Sequence, residues 1–124
     1  MSYFAVAFGG ALGALCRYWM YNTWTKLAEN QFPYVTLMVN VAGSLLIGVA
    51  FVLLVERNHI GLEWRNVINV GFLGAFTTFS TFSLDALGLI EQGQVSLAFI
   101  YIISSVVICI LAAWLGITIT RLIM

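Results

Sequence analysis

The chain alternates four long apolar stretches with three short polar connections. The apolar stretches run from about Tyr3 to Trp24, from Tyr34 to Val55, from about Asn66 to Ile90 and from Val95 to Thr120. Each is long enough to cross a hydrocarbon core of roughly 30 Å as a helix rising about 1.5 Å per residue. The second and fourth carry no charge, and the first and third carry one each, Arg17 and Asp85. Lys26, Glu29, Asn30 and Pro33 mark the first connection, where the only proline suits the approach to a helix start. The second connection, Glu56 to Arg65, is the most polar part, and the third, Glu91-Gln92-Gly93-Gln94, requires a tight turn. The pattern predicts an all-α membrane protein, a single four-span domain over residues 1–124 with four transmembrane helices.

The third stretch departs from the others. Gly71 and Gly74 weaken a helix there, and Thr77, Thr78 and Thr81 are β-branched with hydroxyls that compete for backbone bonds. A break is expected inside this span. Backbone freed in lipid survives only when buried in protein or lining a wet or ion-bearing cavity. Phe76, Phe79 and Phe82 recur at three-residue spacing among these hydroxyls, which marks the segment as the expected seat of function.

Small residues predict where helices approach. Gly9 with Gly13, and Gly10 with Ala14, form small-xxx-small pairs in the first stretch, and Asn40, Ser44 and Gly48 follow at four-residue spacing in the second. Four short helices barely fill their own core, so a hydrophilic path is expected between copies, in a dimer. The side holding the termini and the second connection carries Arg57, Arg65 and Arg121; the other carries Lys26, with Arg17 if it lies near its helix end. This is a weak bias, compatible with one fixed orientation or with insertion both ways.

Composition narrows the class further. Of 124 residues, 62% are hydrophobic and 8% charged, with zero formal net charge, which excludes a soluble domain of this size and argues against a nucleic-acid partner. Mean hydropathy is +1.02. Cys16 and Cys109 lie in apolar stretches and are expected to be small buried hydrophobes. The single histidine, His59, falls in the polar loop, which argues against intramembrane haem ligation. The opening Tyr3-Phe4-Ala5-Val6 lacks a basic stretch, so the first apolar run is expected to remain in the mature protein. No catalytic cluster or phosphate loop stands out, and the chain does not read as an enzyme.

Four groups of residues could carry ion chemistry. Asn40 is a costly carboxamide in a charge-free span, either interhelical glue or a donor to an anion. Phe79 and Phe82 are either packing or rings whose positive edges favour a small anion, with Thr77, Ser80 and Thr81 among them. Tyr101, Ser105 and Cys109 share one face of the fourth span, where hydroxyls either bond back to their helix or line a path. Arg17 and Asp85 fall toward the same membrane face, as a salt bridge, as snorkelling side chains, or with Arg17 drawing anions into a vestibule.

Gly9-Gly10-Ala11-Leu12-Gly13-Ala14 leading to Arg17-Tyr18, Val39-Asn40-Val41-Ala42-Gly43-Ser44, and Gly71-Phe72-Leu73-Gly74 with Thr77-Thr78-Phe79-Ser80-Thr81-Phe82 resemble the Fluc/CrcB family of fluoride channels. The resemblance spans essentially the whole chain. It implies an antiparallel, dual-topology homodimer in the inner or plasma membrane, with two pores and a passive, selective export of cytoplasmic fluoride that protects the cell. It maps the pore to Asn40, Phe79, Phe82, Ser80, Thr81, Tyr101 and Ser105, and the vestibule to Arg17. It also implies a structural sodium ion at the dimer interface, held by the backbone carbonyls of Gly74 and Thr77. Cys109 stands where the family pattern leads one to expect a hydroxyl. Fluoride that enters as HF ionises inside, and a passive pore lets the membrane potential expel it. The competing readings are a small dual-topology, proton-coupled multidrug exporter, which would need a first-helix carboxylate, and a non-transporting scaffold.

Overall fold

The computed structural model describes residues 2–29, 31–58 and 60–124, so the expectations placed on Asn30 and His59 lie outside the described residues. Among the described residues the regular structure is entirely helical. Helix α1 (Ser2–Thr23) is followed by the short α2 (Thr25–Ala28). Pro33 precedes α3 (Tyr34–Ala50), which continues as a π-helical turn, Phe51–Glu56. Helix α4 (Leu62–Arg65) runs through a longer π-helical stretch, Asn66–Leu73, into α5 (Gly74–Phe76). After a break come α6 (Phe79–Glu91) and α7 (Val95–Ile123).

Among the described residues, three lengths are long and apolar enough to cross a membrane: Tyr34–Glu56, Leu62–Glu91 and Val95–Ile123. Helix α1 matches them in length at 22 residues. Gly9, Gly10, Gly13, Arg17, Tyr18 and Trp19 dilute its apolar character. Large apolar side chains face outward along the helices, among them Ile103, Ile110, Leu111 and Trp114 of α7. In lipid that exposure is solvation by acyl chains and costs nothing.

Two close crossings hold the helices together. Helix α1 packs along the Asn66–Leu73 stretch, and α3 packs along α7. At the first crossing a Cβ on Gly9 or Gly13 would sit under 3.0 Å from the carbonyl of Val67 or Phe72, and one on Gly71 from the carbonyl of Val6. At the second, Gly48 faces the Ala113 carbonyl and Gly116 faces the Leu45 carbonyl at similarly short range. Backbones this close maximise van der Waals contact where no hydrophobic force drives helices together in lipid. Gly71 therefore belongs to a helix crossing. It lies in the π-helical stretch and Gly74 begins α5, so the break itself falls beyond both glycines.

The ends are tied by local chemistry. Gly93 adopts φ +78, the Gln94 amide donates to the Leu89 carbonyl at 2.8 Å, and the Gly93 amide donates to the Ile90 carbonyl at 3.0 Å. This is the paired 6→1 and 5→2 bonding that glycine permits at a helix end, and it makes the tight turn the sequence calls for. At the opposite end of the molecule Arg121 forms an ion pair with Glu56, with Nε donating to Oε2 at 3.1 Å. Helices α3 and α7 thus run in the same direction. Both cysteines are free, and Cys16 faces outward from α1. The expectation that Cys16 is buried fails because the α1 face packed on the third span is the glycine face.

Candidate functional site

The break falls at two consecutive residues. Thr77 has ψ 158, and Thr78 has φ −150 and ψ 114, so both are extended between helical neighbours. The Thr77 hydroxyl donates to the Leu73 carbonyl at 2.9 Å and closes the end of α5. Thr78 caps α6, its hydroxyl oxygen accepting the Thr81 amide at 3.1 Å. A hydroxyl in that position satisfies one of the orphan amides of a helix start.

Asn40, on α3, closes the gap between these two ends. Its Oδ1 accepts the Thr78 amide at 2.8 Å, and its Nδ2 donates to the Thr78 carbonyl at 3.0 Å. The carboxamide thereby replaces the partner that the Thr78 amide would have had in a continuous helix, and adds a donor to the Thr78 carbonyl that starts α6. A primary amide has two N–H donors, so one remains free. The same rerouting frees two carbonyls. In a continuous helix the Thr78 amide would bond to Gly74 and the Thr81 amide to Thr77. Here these amides go to Asn40 and to the Thr78 hydroxyl instead.

Beside the break lies an open groove of about 380 Å³, lined by residues of α3, α5, α6, α7 and the Asn66–Leu73 stretch. Asn40, Gly74, Thr77, Phe79, Phe82 and Ser105 all line it, so six of the residues singled out from the sequence meet there. The rings of Phe79 and Phe82 lie 5.4 Å apart at 43°, and Phe79 is 78% exposed. Ser105 is 6% exposed and its hydroxyl has no hydrogen-bond partner, whereas the neighbouring Ser104 hydroxyl bonds back to the Ile100 carbonyl. Cys109 lines the groove one turn beyond Ser105. The lining residues include no charged side chain.

Other predicted site residues sit outside this groove. Tyr101 is fully buried, its ring 5.1 Å from Phe82 and 5.5 Å from Phe32, and its hydroxyl donates to Asp85 at 3.2 Å. It therefore continues the line from Phe82 toward Asp85. Ser80 is exposed and lies 3.4 Å from the Thr78 hydroxyl, and Thr81 accepts the Thr78 hydroxyl at 3.0 Å. Arg17 is half-buried on α1, which contributes nothing to the groove. Among the described residues Arg17 and Asp85 form no salt bridge, and the Asp85 carboxylate accepts the Tyr101 hydroxyl instead.

Two features escaped the sequence reading. Asn69 lines the groove with its Oδ1 buried and unpartnered. The argument that singled out Asn40, a carboxamide inside an apolar stretch, applies equally to it. Tyr21 and Thr36 share a 2.6 Å hydrogen bond that ties α1 to α3 near Arg17.

An all-helical chain with several membrane-crossing lengths and an uncharged groove beside a broken helix is a multi-pass membrane protein. Residues 4–117 match the family described as CrcB-like protein, Camphor Resistance (CrcB). A relative from Hahella chejuensis is 50% identical over 119 residues, covering 96% of this chain and 94% of that one. One from Saccharophagus degradans is 49% identical, covering 94% and 87%. One from Methylococcus capsulatus is 45% identical and covers 98% of this chain, which spans only 53% of that relative's length. All three are named fluoride-specific ion channel FluC. The chain belongs to the CrcB family.

Proposed function

We propose that this chain is a passive, fluoride-selective channel that exports cytoplasmic fluoride across the cell's inner or plasma membrane. The observation that carries this reading is the groove: two phenylalanine rings, a carboxamide with one free N–H and a buried hydroxyl with no partner, on walls without charge. A buried, unbonded hydroxyl costs about 1–3 kcal/mol, which water or an anion in the groove would relieve. Fluoride surrenders a tightly bound hydration shell only to donors that replace it, and neutral donors hold it weakly enough for release. The names of the relatives point the same way. A proton-coupled exporter needs a titrating carboxylate in its path, and the groove has none.

The working unit in this reading is an antiparallel homodimer of four-span subunits, with α1 as the fourth span. The groove is open on one side and Phe79 is left bare, which suits closure by a second copy. A structural sodium ion fits the same interface. The carbonyls of Gly74 and Thr77 have lost their helical donors, and backbone oxygens suit a hard cation. Bound there, the ion would supply a fixed positive charge linking the two breaks.

Liposomes loaded with fluoride and chloride and reconstituted with the purified protein test the function. Fluoride efflux by selective electrode with chloride retained is the expected result. Equal chloride release rejects selectivity, and no fluoride release rejects the channel.

A further inference from the structure

Gly43 lies one turn beyond Asn40 on α3 and faces the break from the same side. A Cβ built on it would fall under 3.0 Å from Cγ2 of Thr77 and 3.4 Å from Cδ1 of Phe76. Thr77 cannot swing that methyl aside freely. Its χ1 is fixed by the hydroxyl bond to the Leu73 carbonyl, and rotation gives that bond up. Nor can the break retreat as a body, because Phe76 is buried against Val35 and Val39 and stacks on Phe72 at 5.9 Å. Asn40 meanwhile pulls Thr78 toward α3 through two bonds.

From this geometry we propose that Gly43 and Thr77 form a matched pair that sets how deeply the break seats against α3. Gly43 is a positioning residue. It acts through Thr77, and the depth it allows fixes where Phe79 and the Thr77 carbonyl stand relative to Ser105 across the groove. The inference rests on the groove being the fluoride path. It specifies that alanine at position 43 is compatible with this groove only when residue 77 lacks Cγ2. Serine is the residue that meets this condition while keeping the hydroxyl bond to Leu73.

The full-length protein is compared with Gly43→Ala, Thr77→Ser and the double variant in fluoride-loaded liposomes. Gly43→Ala is expected to slow fluoride efflux by roughly tenfold or more, the order of loss that ångström-scale misplacement produces. Whatever rate Thr77→Ser alone sets, the double variant is expected to match it, so that Gly43→Ala slows efflux beside threonine and not beside serine, a coupling that a generally damaged fold would not give. Wild-type efflux from Gly43→Ala, or a double variant as far below Thr77→Ser as Gly43→Ala is below the wild type, overturns the pairing. Should Gly43→Ala fail to fold, recovery of monodisperse, conducting protein on adding Thr77→Ser supports the pair and continued failure overturns it. If the wild type itself passes no fluoride, the channel reading falls. The pairing is then decided by thermal unfolding, which Gly43→Ala should lower and the added Thr77→Ser should restore.

Discussion

Asn40 serves the backbone of another span, and its two bonds to Thr78 hold the break against α3. Asn40→Ala leaves the buried Thr78 amide without a partner, at about 1–3 kcal/mol. A lowered midpoint of thermal unfolding in detergent is expected, and an unchanged midpoint would show that the clamp is dispensable. Asn40→Asp retains the acceptor for the Thr78 amide but faces the Thr78 carbonyl with a negative oxygen. Fluoride efflux should fall below detection in that variant. Ser105 behaves in the opposite sense. Its hydroxyl is buried and unbonded, so Ser105→Ala should leave stability unchanged or raised while efflux drops. A parallel loss of both would assign Ser105 to packing instead.

At the level of helices, tolerance differs from glycine to glycine and not between the two crossings. Gly116→Leu drives a side chain into the Leu45 carbonyl and should abolish monodisperse protein on size exclusion. Gly10→Ala meets its nearest heavy atom, the Gly71 carbonyl oxygen, at 3.9 Å, and it should be recovered at wild-type yield. The interruption of the third span was legible from Thr77 and Thr78, whose hydroxyls compete for backbone bonds and here win them. Its mechanism was not, because the partner that stabilises it lies 38 residues away on another span. Gly71 also serves a helix crossing, against the Val6 carbonyl, a partner that local helix propensity does not name. The π-helical stretches at Phe51–Glu56 and Asn66–Leu73 left no trace in the apolar spacing, since a shift from i−4 to i−5 bonding changes which carbonyl is used without changing composition. Of the groove itself, Asn40, Gly74, Thr77, Phe79, Phe82 and Ser105 were singled out one by one, and Asn69 was not. Their convergence on one groove required α3, α6 and α7 to be placed.

For the whole molecule, the open side of the groove and the bare Phe79 ring set the expectation of a two-copy assembly. Antiparallel pairing requires each chain to insert both ways round. Arg57 lies beyond the π-helical turn that ends α3, in the second connection. A single cysteine there, with Cys16 and Cys109 replaced by serine, should react with an impermeant maleimide in about half of the molecules in sealed cells, as a weak charge bias predicts. Labelling that is complete or absent would fix one orientation and remove the antiparallel dimer.

The position of the clamp in the chain has a consequence for biogenesis. Asn40 leaves the ribosome before Thr78, so the mould exists before the piece it shapes. Entering lipid alone, the third span has no carboxamide to take its Thr78 amide, and an unbonded peptide group in hydrocarbon costs several kcal/mol. The nascent segment is therefore expected to cross as an unbroken rod and to open on docking beside its predecessor. A synthetic peptide of residues 62–91 in micelles should accordingly be helical straight through Thr77 and Thr78 by NMR.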